Sequence, residues 1–462
     1  MSFSASVYEA CKVSPRIFVM HPGYKRTNFY AQQLRALALV REMVASGDLS
    51  DDAPSLIVVG GGVAGLTAAA AALTARAMVT LIERVGYLAE YKEAAHRELH
   101  PNLIAWPFQV PKAMTTLPFL NWACGPADRV ADDLTRQWQK DFARHASAVK
   151  DTVTELVETK DKVEVICQHG QSRVADIVLM AVGWERERIG GKSIGPNYWR
   201  PQPFDDGEIV VSGSGDGGLI DLAYQTYGQK TVSVSRMLAY ILERKPHRDW
   251  IRKAEEAALK SMAEAGDQAQ RDAAFEQLQV FYDKLTMEDE DSRLLATYRR
   301  PQPLKARLIH ENRTAFSPFA APINKVLLST LTKPPAEAAR LERGTVTLSS
   351  EDKLVKASTG APEELDDRRI IIRHGAAPAA LQGSLLSDKH KDMLAQVPIG
   401  NLAQVVPDEY DYEFFTKQPA RPIAPLPILP PRPILRAGAT AGRKDGEIHL
   451  RRQRDLHAFS RE

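Results

Sequence analysis

The chain is poor in cysteine, with three residues, Cys11, Cys124 and Cys167, in 462. They lie far apart, so the sequence offers neither a CxxC redox pair nor the paired spacing of a zinc site. Each reads as a reduced, buried thiol. An excess of charge is also missing. Sixty Lys and Arg stand against 58 Asp and Glu, for a net charge of +2, which indicates no strongly electrostatic partner such as bulk nucleic acid. The N-terminus lacks a basic stretch followed by an apolar core. No apolar run is long enough to act as a membrane span. The expectation is a cytoplasmic protein without a membrane or nucleic-acid partner. No acid/base pair, metal cluster or nucleophile constellation stands out. A small-molecule substrate is expected but not named, no metal is expected, and no catalytic residue is assigned.

Glycine, by contrast, is concentrated where it carries chemistry. Residues 56–65 read Leu-Ile-Val-Val-Gly60-Gly-Gly62-Val63-Ala64-Gly65. An Ala-rich segment follows, then Val79-Thr-Leu-Ile-Glu83. The pattern is a strand, a tight turn, a helix and a second strand ending in an acid. Gly60 permits the turn, Gly62 lets a pyrophosphate approach the backbone, and Gly65 lets the helix pack on the sheet. The helix start at Val63 and Ala64 offers free N–H groups to phosphate. Glu83 stands at about the 20-residue distance where an acid meets a ribose hydroxyl. Arg84, beside it, joins the expected cofactor set.

A run of strands follows: Val153–Val157, Val163–Cys167, and Val174 to Gly183, a meander feeding an apolar strand that suits burial on both faces. The same grammar then returns. Glu208-Ile-Val-Val-Ser-Gly213-Ser-Gly215-Asp216-Gly217-Gly218 is again a strand, a glycine turn and a helix start. Residues 236–300 read as one or two solvated helices. Ala306–Glu311 is a strand ending in an acid, which places Glu311 as the counterpart of Glu83. Residues 345–348, 354–356 and 369–375 form another meander, with Asp366 or Asp367 standing where Asp176 stood. The architecture is therefore an internal repeat. Seven prolines between 418 and 436 predict an extended strap, which also offers a site for a protein partner. The residues beyond it are polar and basic.

These motifs resemble the two-dinucleotide-binding flavoproteins, the superfamily of the glutathione-reductase-like enzymes and flavin monooxygenases. The resemblance rests on Gly60–Gly65 with Glu83, on Ala181-Val-Gly183 closing the first meander, and on Gly213–Gly218. It covers about residues 53–376. It implies an α/β fold of two Rossmann-like βαβ domains, each with a β-meander, with a helical insert and an extended Pro-rich C-terminal tail. The implied division is a helical extension at 1–52, an FAD domain at 53–206, a second, NAD(P)-binding-like domain at 207–376 carrying the insert at 236–300, and a terminal segment at 377–462. It also implies FAD at Gly60, Gly62, Gly65, Glu83 and Gly183, and NAD(P)H near Gly213, Gly215, Asp216, Gly217 and Gly218. The expected function is an FAD-dependent NAD(P)H oxidoreductase, closer to the monooxygenases because CxxC is missing.

The chain departs from that family in two further ways. No late strand ending in Gly-Asp follows residue 376, so the Gly215-Asp216 pair could serve FAD instead. Asp216 also sits where it would repel a pyrophosphate, unless it takes ribose hydroxyls or backbone N–H groups. The alternative is a non-redox nucleotide-binding sensor or partner protein that keeps the fold. Away from the glycines, His96, Arg97, His100 and Trp106 either reach the cofactor or serve a turn and the core. Arg373 and His374, at a strand end, are candidates for the ligand crevice.

Overall fold

The computed structural model describes residues 2–20, 27–49, 54–94, 97–169, 172–183, 187, 189, 198–199, 207–285, 287–301, 304–311, 313–333, 338–351, 353–357, 362–375, 385–388, 391–392 and 412–416. His96 and the proline strap lie outside them.

The chain opens with helix α1 (Phe3–Cys11), strand β1 (Ile17–Val19) and helix α2 (Phe29–Ala45). The first glycine motif forms the βαβ unit β2 (Ser55–Val59), α3 (Val63–Thr74) and β3 (Met78–Ile82). A small ladder of β4 (Glu98–Leu99) with β5 (Gly125–Pro126) precedes helix α4 (Ala127–Asp141) and strand β6 (Ser147–Val149). The meander is β7 (Val153–Glu158), β8 (Val163–Cys167) and β9 (Ser172–Ala175), and β10 (Ile177–Met180) then returns to the main sheet. That sheet runs β1-β10-β2-β3-β6, parallel throughout.

The second copy is built to the same plan. It comprises β11 (Ile209–Ser212), α5 (Asp216–Tyr227), the inserted helices α6 (Thr231–Glu243), α7 (His247–Glu264), α8 (Gln268–Lys284) and α9 (Asp289–Ala296), then β12 (Ala306–His310), α10 (Pro322–Thr332) and β13 (Ala339–Arg343). Strands β14 (Thr345–Leu348), β15 (Leu354–Ala357) and β16 (Glu363–Glu364) form its meander, and β17 (Ile370–Ile372) closes it. The sheet order β13-β12-β11-β17 repeats β6-β3-β2-β10, again in parallel. The fold is thus α/β, with two Rossmann-like units that each carry a meander.

Asp176 explains why one apolar run becomes two strands. Its carboxylate accepts hydrogen bonds from the Ser55 N–H (2.9 Å) and hydroxyl (2.6 Å) and pairs with Lys162 at 2.6 Å. It thereby pins the point where the chain leaves the meander for the sheet. The second copy does this differently. By register Arg368, not Asp366 or Asp367, matches Asp176, and Asp366 instead accepts from the Arg368 N–H at 3.0 Å.

Two expectations need correcting, and one packing contact runs from the first unit's segment into the second. The segment before the first glycine turn is not only helical: β1 pairs in parallel with β10, Ile17 opposite Val178, and occupies that edge of the sheet. The insert holds four helices rather than one or two, and it is not merely solvated. Glu255, Leu278 and Tyr282 are buried, and Lys325 of α10, fully buried, meets Glu255 at 2.7 and 3.0 Å. Tyr282 donates to the same carboxylate at 2.7 Å. Finally, Leu103 and Trp106 pack into the core of the second unit although they follow the first βαβ motif in sequence.

A buried pair whose remaining valences are satisfied tolerates removal of both charges far better than loss of one. Lys325→Met alone is expected to cost about 3–5 kcal/mol in urea unfolding. Adding Glu255→Leu should recover most of that loss. A double variant as unstable as the single would refute the pairing.

Candidate functional site

Steric contacts at the two glycine turns separate glycines required by packing from glycines that packing does not require. A Cβ on Gly60, whose φ is +109°, would sit 2.4 Å from the Ala181 carbonyl oxygen. One on Gly65 would sit 1.9 Å from the Gly60 oxygen. In the second copy, a Cβ on Gly213, with φ +117°, would lie 1.9 Å from the Arg373 oxygen, and one on Gly218 would lie 1.9 Å from the Gly213 oxygen. These four glycines are demanded by backbone meeting backbone. Gly62 and Gly215 differ. A Cβ on either meets nothing within 4 Å, and both have ordinary extended φ values, −75° and −79°. Each is the N-cap residue of its helix, and neither helix start carries a side-chain cap. Glycine is thus kept at two positions where Ser, Thr or Asp would cap better, beside open space and unsatisfied helix N–H groups.

The loops around the turns also match. The Gly60 N–H donates to the Ile82 oxygen (2.8 Å) and the Gly213 N–H to the Ile309 oxygen (3.0 Å). The Gly61 oxygen accepts from the Leu88 N–H, as the Ser214 oxygen does from the Ser317 N–H. At the end of β3, Glu83 accepts from the Gly61 N–H at 2.6 Å and the Val85 N–H at 2.9 Å. It therefore lies against the turn. Arg84 is exposed. The second copy corrects the sequence reading. Val59 is opposite Ile82 and Ser212 is opposite Ile309, so the counterpart of Glu83 is His310, not Glu311. Counting acids along the strand misplaced the match by one residue.

Asp216 is committed to the start of α10. Its carboxylate accepts from the Ala321 N–H and the Asn324 side-chain amide, both at 2.7 Å. It caps the start of α10, where a negative charge also suits the helix dipole. Gly183 and Gly375 close their strands with φ of +68° and +104°. Gly217 lies near the Arg373 side chain and the Tyr198 ring.

Arg97 is 4% exposed and already engaged. Its guanidinium bonds Asp221 of α5, donates to the Tyr198 carbonyl at 2.7 Å and stacks 4.3 Å from the Tyr198 ring centre. Asp221 is shared with Arg373 (2.7 Å), and Arg373 also meets Glu187 at 3.3 Å. Burial pushes the Glu187 carboxyl above its usual range, with Arg373 opposing. This buried ion cluster joins the segment after the first βαβ unit to the helix and closing strand of the second. Asp221, Glu187 and Tyr198 were not legible as partners in the sequence. The one signal was Arg373, a large cation at the position that Ala181 fills in the first copy. His100 serves a turn: its Nδ1 accepts from the Leu103 N–H at 3.1 Å, and burial, aided by Arg236, pushes its pKa down to about 4. Trp106 is fully buried core.

No protein-family model matches the chain, and no curated protein sequence matches it. Among solved structures, the chain is similar to the bacillithiol disulfide reductase of Staphylococcus aureus, at 12% identity over 71% of this chain and 77% of that one, with a TM-score of 0.39. It is similar to the thioredoxin reductase of Lactococcus lactis at 12% identity over 79% and 99%, with a TM-score of 0.37. For the thioredoxin reductase of T. acidophilum the values are 10%, 71% and 79%, and 0.35. The two-unit architecture rests on the chain's own sheets and not on this likeness.

The steric contrast predicts a split in stability. Gly65→Ala should lose several kcal/mol or fail to fold, because backbone cannot yield to a Cβ at 1.9 Å. Gly62→Ser should unfold within about 1 kcal/mol of the parent, or above it, because serine caps the helix. Equal losses in thermal denaturation would contradict the steric contrast between the two glycines.

Proposed function

We propose that the protein is an FAD-dependent oxidoreductase that draws electrons from NAD(P)H, with FAD at the first glycine turn and the nicotinamide dinucleotide at the second. The observation that carries this reading is the pair Gly62 and Gly215, which lack side chains that the protein's own packing does not forbid. A pyrophosphate lying on the two helix starts supplies the missing reason. The two crevices are not interchangeable: Glu83 lines the first and His310 takes its place in the second. That difference supports two different ligands.

The chemistry a bound flavin supplies is hydride acceptance from a reduced nicotinamide and delivery onward to a substrate or to oxygen. The residues would do the holding. The N–H groups at the start of α3 take the FAD phosphates. Glu83 accepts a ribose hydroxyl while keeping its backbone bonds to Gly61 and Val85. The start of α5 holds the second pyrophosphate, and Asp216 is kept out of its way by its bonds to α10. A dithiol relay is not supported: there is no CxxC, and Cys11, Cys124 and Cys167 form no disulfide. The reading therefore leans toward the monooxygenase type, with a small molecule as substrate. Within the described residues, no helix is long and apolar enough to cross a membrane.

Anaerobic mixing with NADH or NADPH tests this reading, with flavin bleaching followed by absorbance. Wild type should bleach. Gly62→Ser should bind FAD at least about tenfold more weakly, and Gly215→Ser should keep FAD while needing at least about tenfold more nicotinamide, the weakening expected from losing a charge-assisted phosphate contact. Nucleotide binding with no bleaching by either dinucleotide would instead favour a sensor that keeps the fold without turnover.

A further inference from the structure

Besides Ala181, which Arg373 replaces, the strand ends of the two sheets differ in chemistry at three positions in register. Val59 in the first copy corresponds to Ser212 in the second, Val182 to His374, and Glu83 to His310. The first two changes are coupled. The His374 Nε2 and the Ser212 Oγ are 2.7 Å apart. Ser212 is 2% exposed, and a hydroxyl that far from water needs a partner. The imidazole meets that need, and the bond fixes the orientation of the ring.

The pair sits at the mouth of the second turn. Ser212 immediately precedes Gly213. His374 follows Arg373, whose carbonyl oxygen lies where a Gly213 Cβ would fall. His374 itself is solvent-exposed at the end of β17, the edge from which strands of such sheets meet their ligands. A structural role alone would be served by the Val–Val pair that the first copy uses at the same place.

We propose that His374, oriented by Ser212, is a ligand-contacting residue of the second crevice, giving a hydrogen bond to a phosphate oxygen of the dinucleotide held at Gly215. The proposal rests on the nucleotide reading of that turn and adds a residue to it. Burial holds His374 below the usual imidazole pKa, with Glu311 pulling the other way. The charged groups next to it in the chain and at the adjoining backbone are Arg373 and Glu187, which accepts from the Gly375 N–H. His374 is thus a neutral donor near pH 7 and gains a charge on the acid side. A phosphate favours that charge, so dinucleotide affinity rises as the pH falls through the His374 transition.

Calorimetric titration of NADH and NADPH at pH 7.5 and 5.5 tests this, using the purified full chain. Wild type should bind more tightly at the lower pH. His374→Val should bind about tenfold more weakly at pH 5.5 and lose the gain on acidification. The Ser212→Val/His374→Val double variant, which recreates the first copy's Val59 and Val182, should behave like the single and guards against a folding defect from an orphaned hydroxyl. Either variant binding both dinucleotides as wild type does at both pH values overturns the role of His374 and leaves the nucleotide reading standing. A wild type that binds neither, or a Gly215→Ser variant that binds as wild type does, overturns both.

Discussion

Everything in this molecule depends on one close approach of backbone to backbone. The carbonyl at the end of a closing strand presses on the first glycine of the turn, and that glycine's own carbonyl presses on the last glycine, at the start of the helix. A Cβ on these glycines would fall 2.4 and 1.9 Å from those oxygens in the first copy and 1.9 and 1.9 Å in the second, so there is no room for one. The contact draws strand, helix and closing strand together so tightly that the first turn of the helix opens at the sheet's end. Two uncapped helix starts follow, each with an unhindered glycine in front of it.

The repeated scaffold then diverges where ligands would lie. In the first unit Glu83 folds back on the turn, and the floor beside it is Val59 and Val182. In the second, the same places hold His310, Ser212 and His374. The join between the units is not a passive linker. Arg97, Asp221, Arg373 and Glu187 form a buried cluster of alternating charge, and losing one member would strand another without water. The insert is tied in as well: Lys325 links Glu255 of α7 to the Pro318 carbonyl at 3.1 Å, one residue from Ser317, which bonds the second turn. A helical hairpin far from the turn in sequence thus steadies the loop that covers it.

Much of this was legible in the residues. Glycine spacing, the acid at Glu83 and the paired meanders are local signals, each dictated by sterics or strand alternation, and they located both units. The misses have physical causes too. Strand β1 is three residues long and takes its place in the sheet from β10. The Asp216 partners arrive from α10, more than a hundred residues later, so the charge could not be assigned from its neighbours. The insert read as solvated because its charges dominate the sequence, while its buried Glu255 meets Lys325 of α10, which lies 70 residues further along the chain. Glu311 was matched to Glu83 by residue type, and register, a property of the paired strands, moved the match to His310.

The central claim is that the first turn holds FAD. Heat or acid denaturation of freshly purified wild-type protein, followed by mass-spectrometric identification and absorbance quantitation of the released nucleotide, tests it most directly. The account predicts FAD, approaching one per chain after saturation and removal of excess. A protein that releases no FAD and takes none up on incubation would contradict it.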